Sequence, residues 1–202
     1  MRWTAVVCCL LFLSAAHAED VETKLAHGIV VKVPAGWRHA ENAEFERSQQ
    51  SQTFADPKLK ERAEAGASME TLLAIAKHPA DHQGLNPSFL ITRAAIPPQL
   101  KGVTPTKLLE ALLPIVTRGF FNARVEEWTL SLTVGKRKAA SVTTLYEMHG
   151  KSGRVTPARA TAVLVIDADH FLLIGMSAPV EGKDDTRAEF RKFLASVRFG
   201  AQ

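Results

Sequence analysis

The apolar positions of this chain fall mostly into short runs and alternations, with helical stripes only in its middle and at its end. The first run, Gly28 to Pro34, is rich in valine with Lys32 as its one polar member, and predicts a strand. It stops at Pro34-Ala35-Gly36-Trp37. Proline has no N–H to continue a ladder, and glycine admits backbone angles that other residues resist, so the chain must turn there. Trp37 at such a corner is expected to pack over the edge of the core. Polar sequence follows from His39 to Met69, where Asp56-Pro57 opens a helix expected to run to about Ala65, with Gly66 as its stop.

Thr71 to Lys77 and Ser88 to Ile96 read as two strands, separated by a loop carrying Pro79, Gly84 and Pro87. Pro97-Pro98 closes the second. Thr104-Pro105 then opens a helix with Leu108, Leu109, Leu112, Leu113 and Val116 on one face, and Pro114 is expected to kink it or end its regular hydrogen bonding. Four strands come next, at about Glu127 to Val134, Ala139 to Met148, Ala158 to Ile166 and Phe171 to Ala178. Gly135-Lys136, the Gly150 to Arg154 loop and Asp167 to His170 join them into an antiparallel meander. Thr161 to Ile166 and Phe171 to Met176 are apolar on both alternating faces, as befits central strands covered on both sides. A last helix starts near Asp184-Asp185, with Phe190, Phe193, Leu194 and Val197 spaced as one buried stripe. The fold class is therefore α+β: a mainly antiparallel sheet with helices on both faces, an α/β/α sandwich.

Composition narrows this further. With 202 residues, 46% hydrophobic and 23% charged, the chain suits one globular domain. Arg2, the apolar run Ala5 to Leu13 and Ala16-His17-Ala18 form the three regions of a secretory signal peptide, expected to be cut after Ala18. Residues 1–18 are thus assigned to the signal and 19–202 to the domain. The apolar run is too short to span a bilayer, which needs about 20 residues, and no transmembrane segment is expected in the mature chain. Cys8 and Cys9 both fall in the removed part, so the mature chain has no disulfide, thiolate nucleophile or cysteine metal ligand. Without Arg2, the 25 basic residues become 24 against 21 acidic, a formal charge of +3. So mild an excess, with no nucleic-acid-binding motif, argues against a nucleic-acid partner.

A strand ending in Val31-Lys32-Val33-Pro34-Ala35-Gly36-Trp37, two more strands, a helix, four antiparallel strands and a closing helix followed by Ser196-Val197-Arg198-Phe199 resembles the PsbP/DcrB-like fold. The likeness is one of order and spacing over most of the mature chain. It implies a small α/β/α sandwich of a kind commonly serving as a non-enzymatic accessory or binding module, and it carries over no partner and no site. On that pattern Pro34 to Trp37 is the corner where the first long strand leaves the sheet.

Motifs for chemistry are sparse. His78, Asp81 and His82 form the best metal candidate, because imidazoles four apart with a carboxylate between them can ligate Zn²⁺. That spacing converges reliably on a helix, however, and Pro79 places it in a loop, where a further ligand must come from elsewhere. Asp167-Ala168-Asp169-His170 could offer donors to a cation, but it is read as a tight hairpin turn, where Asp is favoured for bonding its own backbone. Gly150-Lys151-Ser152 fails as a phosphate loop: Leu145 stands where a glycine is required, and strands flank it on both sides. No nucleophile motif of the hydrolases appears, and the adjacent Glu126 and Glu127 point to opposite faces of a strand. Lys136-Arg137-Lys138 and Lys151 with Arg154 lie at opposite ends of a strand, about 30 Å apart, with Asp167 and Asp169 returning to the first cluster. Trp37, Trp128 and Tyr146 would line a pocket only if the fold brought them together.

No catalytic, cofactor or metal residue is assigned on this basis, and no cofactor is expected. The expectation is a non-enzymatic accessory or binding protein of the bacterial periplasm, or secreted, acting through protein–protein contact with another cell-envelope protein. Binding of a small ligand or lipid in a groove is the alternative, and a metal-dependent hydrolase a more distant one.

Overall fold

The computed structural model describes residues 19–41, 44, 52–53, 55, 69–150 and 153–200. The expected signal segment, the helix expected from Asp56-Pro57, and Lys151 lie outside these residues, as does the side chain of Val116. The strands are β1 (Val21–Lys24), β2 (Ile29–Val33), β3 (Arg38–His39), β4 (Gln52–Thr53), β5 (Glu70–Ala76), β6 (Ser88–Ala95), β7 (Phe121–Val134), β8 (Arg137–Gly150), β9 (Val155–Asp167), β10 (His170–Pro179) and β11 (Arg198–Phe199). The helices are α1 (Pro105–Gly119) and α2 (Arg187–Ser196).

Eight strands make one antiparallel sheet in the order β3-β5-β6-β10-β9-β8-β4, with β7 paired along β8. The four-strand meander stands where the alternation placed it, and its first member begins earlier, at Phe121. The β7–β8 hairpin turns through Gly135 and Lys136, both with positive φ (52° and 70°), as a two-residue hairpin turn demands. At Gly135 a Cβ would stand 2.6 Å from Phe199 Cδ2, so this turn also needs glycine for room.

The first predicted strand, β2, belongs elsewhere: it sits between β1 and β11 in a separate three-stranded sheet. Ile29, Val31 and Val33 point inward from it and are almost fully buried. The Trp37 amide donates to the Pro34 carbonyl at 3.1 Å, closing a β-turn with Gly36 at φ 79°. Pro34 to Trp37 is therefore a corner between two sheets: β3 begins at the next residue and joins the main sheet beside β5.

Two cores flank the main sheet. β2, Trp37, Phe190, Phe193 and Val197 pack on Val163, Val165, Leu172, Ile174 and Met176. On the other face Leu108 and Leu109 of α1 pack on Ala140, Val142, Leu164 and Phe171. Neighbouring residues of β9 and β10 thus serve opposite cores, which is why both strands are apolar throughout. The helices lie on opposite faces, as expected.

Two helical details refine the expectation. α1 begins with Thr104 accepting from the Lys107 amide at 3.3 Å, but it runs through Pro114 to Gly119. Glu110 and Pro114 are both exposed, so the carbonyl that loses its donor lies on the solvent side of the helix. α2 starts at Arg187 rather than at Asp184-Asp185. Those aspartates belong to a turn closed by the Asp185 amide on the Gly182 carbonyl at 3.1 Å, with Gly182 at φ 93°. Among the described residues no helix is long and apolar enough to cross a membrane.

Candidate functional site

The loop from β5 to β6 is the densest cluster of chemistry. Its neck is closed by the Lys77 amide on the Pro87 carbonyl at 3.0 Å. Asn86 then clamps His78 from both sides: its Oδ1 accepts from the His78 amide at 3.0 Å, and its Nδ2 donates to the His78 carbonyl at 2.9 Å. Arg38 Nε donates to the same carbonyl at 2.6 Å. The His82 amide donates to the Pro79 carbonyl at 3.1 Å, so a β-turn folds His82 back over His78. Pro79 is the first residue of that turn.

The two imidazoles stack, with ring centroids 4.2 Å apart and planes 24° from parallel. Asp184 arrives from the turn before α2, and its Oδ1 accepts from His78 Nε2 at 2.8 Å. The ligand-type atoms of His78, His82 and Asp184 all lie within 4.8 Å of one another. Asp81 is exposed and stands outside that group. Burial lowers the pKa of His82 most, and the neighbouring His78 lowers it further, so His82 favours its neutral, lone-pair-bearing form. Of the nearby cations, Arg38 pairs with Glu44 and Lys77 with Glu189 at 3.1 Å, while Lys183 also depresses the His82 pKa.

His82 and Asp184 border an open cavity of about 260 Å³ whose wall also carries Arg154, Thr156, Glu181 and Lys183. Leu85 and Pro179 share this wall with the polar groups, so the cavity offers charged partners for an ion or an anionic group beside apolar surface.

The remaining candidates are dispersed. Trp37 stacks on Phe89 in the α2-side core and donates from Nε1 to Glu189 at 3.3 Å. Trp128 packs in the α1-side core, and Tyr146 in a third cluster with its hydroxyl 3.0 Å from Ser177. These aromatics line no common pocket. Arg137 pairs with Asp167 and lies over the Phe199 ring at 4.1 Å, while Asp169 pairs with Lys101 at 3.6 Å, so the acidic turn partly neutralises the basic cluster, through Arg137. Glu126 makes a two-pronged pair with the buried Arg159, at 2.7 and 3.0 Å. Sequence reasoning missed Asp184 because it follows His78 by 106 positions, and only the tertiary fold brings it near.

No family model matches this chain, and no curated protein matches it either. Among solved structures, cyanobacterial PsbP (CyanoP) from Synechocystis is similar with a TM-score of 0.56 at 12% identity, covering 93% of this chain and 96% of that one. The chain therefore has a PsbP-like fold. LpqN, involved in cell envelope biogenesis of Mycobacterium tuberculosis, aligns with a TM-score of 0.48 at 14% identity, over 90% of this chain and 91% of that one. The Ran-binding protein Mog1p of Saccharomyces cerevisiae aligns with a TM-score of 0.49 at 10% identity, over 91% and 96%.

Proposed function

We propose that this chain is an exported, non-enzymatic accessory protein that binds another protein of the cell envelope through the outer edge of its main sheet. One observation carries this reading. β7 has 14 residues, and among the described residues it pairs with β8 alone. Its Val125 and Leu130 are 42% and 57% exposed. An edge strand presents backbone donors and acceptors to an incoming strand, with alternate side chains to set specificity; on β7 the Leu130 carbonyl already accepts from Thr106 Oγ1 of α1 at 2.7 Å. Three register breaks against β8, together with the charges of Arg124 and Glu127, limit indiscriminate pairing along that edge. Export rests on the arrangement of Arg2, the apolar run and Ala16-His17-Ala18, and the periplasm is the compartment it implies for a bacterial chain.

The test places a photo-crosslinking residue at Val125 or Leu130, with exposed Glu110 of α1 as the control, in the native host. A discrete adduct with one envelope protein from the β7 positions alone is the expected result. No adduct, or the same adducts from Glu110, overturns the edge-binding reading. The intact mass of the recovered chain should begin at Glu19, and a mass that retains residues 1–18 refutes cleavage after Ala18.

A further inference from the structure

We propose that His78, His82 and Asp184 bind a divalent transition cation of the zinc class. Two imidazoles and a carboxylate match the donor preference of such an ion, and three protein ligands leave a coordination position open. His82 and Asp184 line the cavity of about 260 Å³, so that open position faces it. A water molecule or an anionic group from a ligand or partner would complete the shell there.

The case rests on how the three groups are held. His78 has its amide and carbonyl tied by Asn86 and its carbonyl tied again by Arg38. Asp184 sits in a separate turn fixed by the Gly182 carbonyl. The side chains of His78 and Asp184 are only 23% and 16% exposed, so the groups are partly dehydrated but reachable. Supported backbones and half-open side chains are what a binding site requires.

Binding demands a small, definite rearrangement. Around a tetrahedral ion with bonds of about 2.0–2.1 Å, ligand atoms stand about 3.3 Å apart. Separations wider than this, all within 4.8 Å, must contract, and the His78–Asp184 separation of 2.8 Å must open. The His78–Asp184 hydrogen bond at 2.8 Å gives way, and the stacked rings rotate so that both lone pairs meet the ion. Without metal the same three groups act as a clasp between the β5–β6 loop and the approach to α2.

Titrating ZnCl₂ into the chelator-stripped chain by calorimetry tests this. One equivalent should bind with a micromolar or tighter Kd, while MgCl₂, a hard cation preferring oxygen donors, should give no saturable heat. His78→Gln, His82→Gln and Asp184→Asn should each weaken Zn²⁺ at least tenfold, whereas His170→Gln leaves it unchanged. Histidine-detected NMR on the unaltered chain makes the test independent of variant folding: Zn²⁺ should shift the imidazoles of His78 and His82 and no others. No saturable Zn²⁺ binding, equal response to MgCl₂, or shifts spread over the other histidines would overturn the site and leave the clasp as its whole role.

Discussion

Arg159 shows how one charged residue constrains this sheet. It points from β9 into the protein with only 5% of its surface exposed, and donates to both oxygens of Glu126 and to the Val180 carbonyl at 3.3 Å. A buried guanidinium is tolerated only where its donors are met. Glu126→Ala should therefore destabilise the protein. A third of the Glu126 side chain remains exposed, and solvent screening keeps the loss to about 1–2 kcal/mol at neutral pH. Glu126→Gln combined with Arg159→Met should recover most of it, because the pair is then replaced rather than broken. The hydrogen bond from Arg159 holds the Glu126 carboxyl below the usual carboxylate range, against the opposing effect of burial. A depressed folded-state value means stability is fully present above the unfolded value, about 4.3, and is lost as pH falls through the folded one. Urea midpoints over an acid series should fall for the native chain in that window and flatten in Glu126→Gln.

At the scale of elements, α1 is held by packing against its own local preference. Pro114 removes one backbone bond from a helix that continues five residues beyond it, to Gly119. Leu108 and Leu109, buried against Val142 and Leu164, outweigh that loss. Since Pro114 is exposed, Pro114→Ala should restore the bond at no cost in packing and stabilise the chain by about 1–3 kcal/mol. A raised thermal midpoint checks it, and an unchanged or lowered one shows that α1 is already strained around the ring. Such balances mark where sequence reasoning succeeds and stops. The long strands were legible because Val163, Val165, Leu172 and Ile174 leave an unbroken apolar signal. β1 was not: Val21 is its one apolar residue and is 62% exposed. The first half of β7 escaped for the same reason, as Asn122, Arg124, Val125 and Glu126 all face solvent. Of the candidate site, His78 and His82 were visible as a pair, but a β-turn rather than a helix joins them. Asp184 became readable only once α2 was found to begin at Arg187.

For the molecule as a whole, the main sheet is the wall shared by both cores. Trp37 reports on one side of it, stacked against Phe89 and Ile174's cluster, and Trp128 on the other, against α1. Residues that alternate along β9 and β10 feed the two cores in turn, so neither core can open without stripping a face from strands the other needs. Unfolding of the two cores should then be one cooperative event. Trp37→Phe leaves fluorescence from the α1 side, and Trp128→Phe leaves it from the α2 side. Within each variant, fluorescence should change at the same denaturant concentration as far-UV circular dichroism. Leu108→Ala and Phe193→Ala, on opposite helices, should each cost about 2–5 kcal/mol and add within about 0.5 kcal/mol when combined. Separate midpoints for the two tryptophans would divide the chain into independently folding parts. Coincident midpoints with additive losses are what one sheet carrying two cores requires.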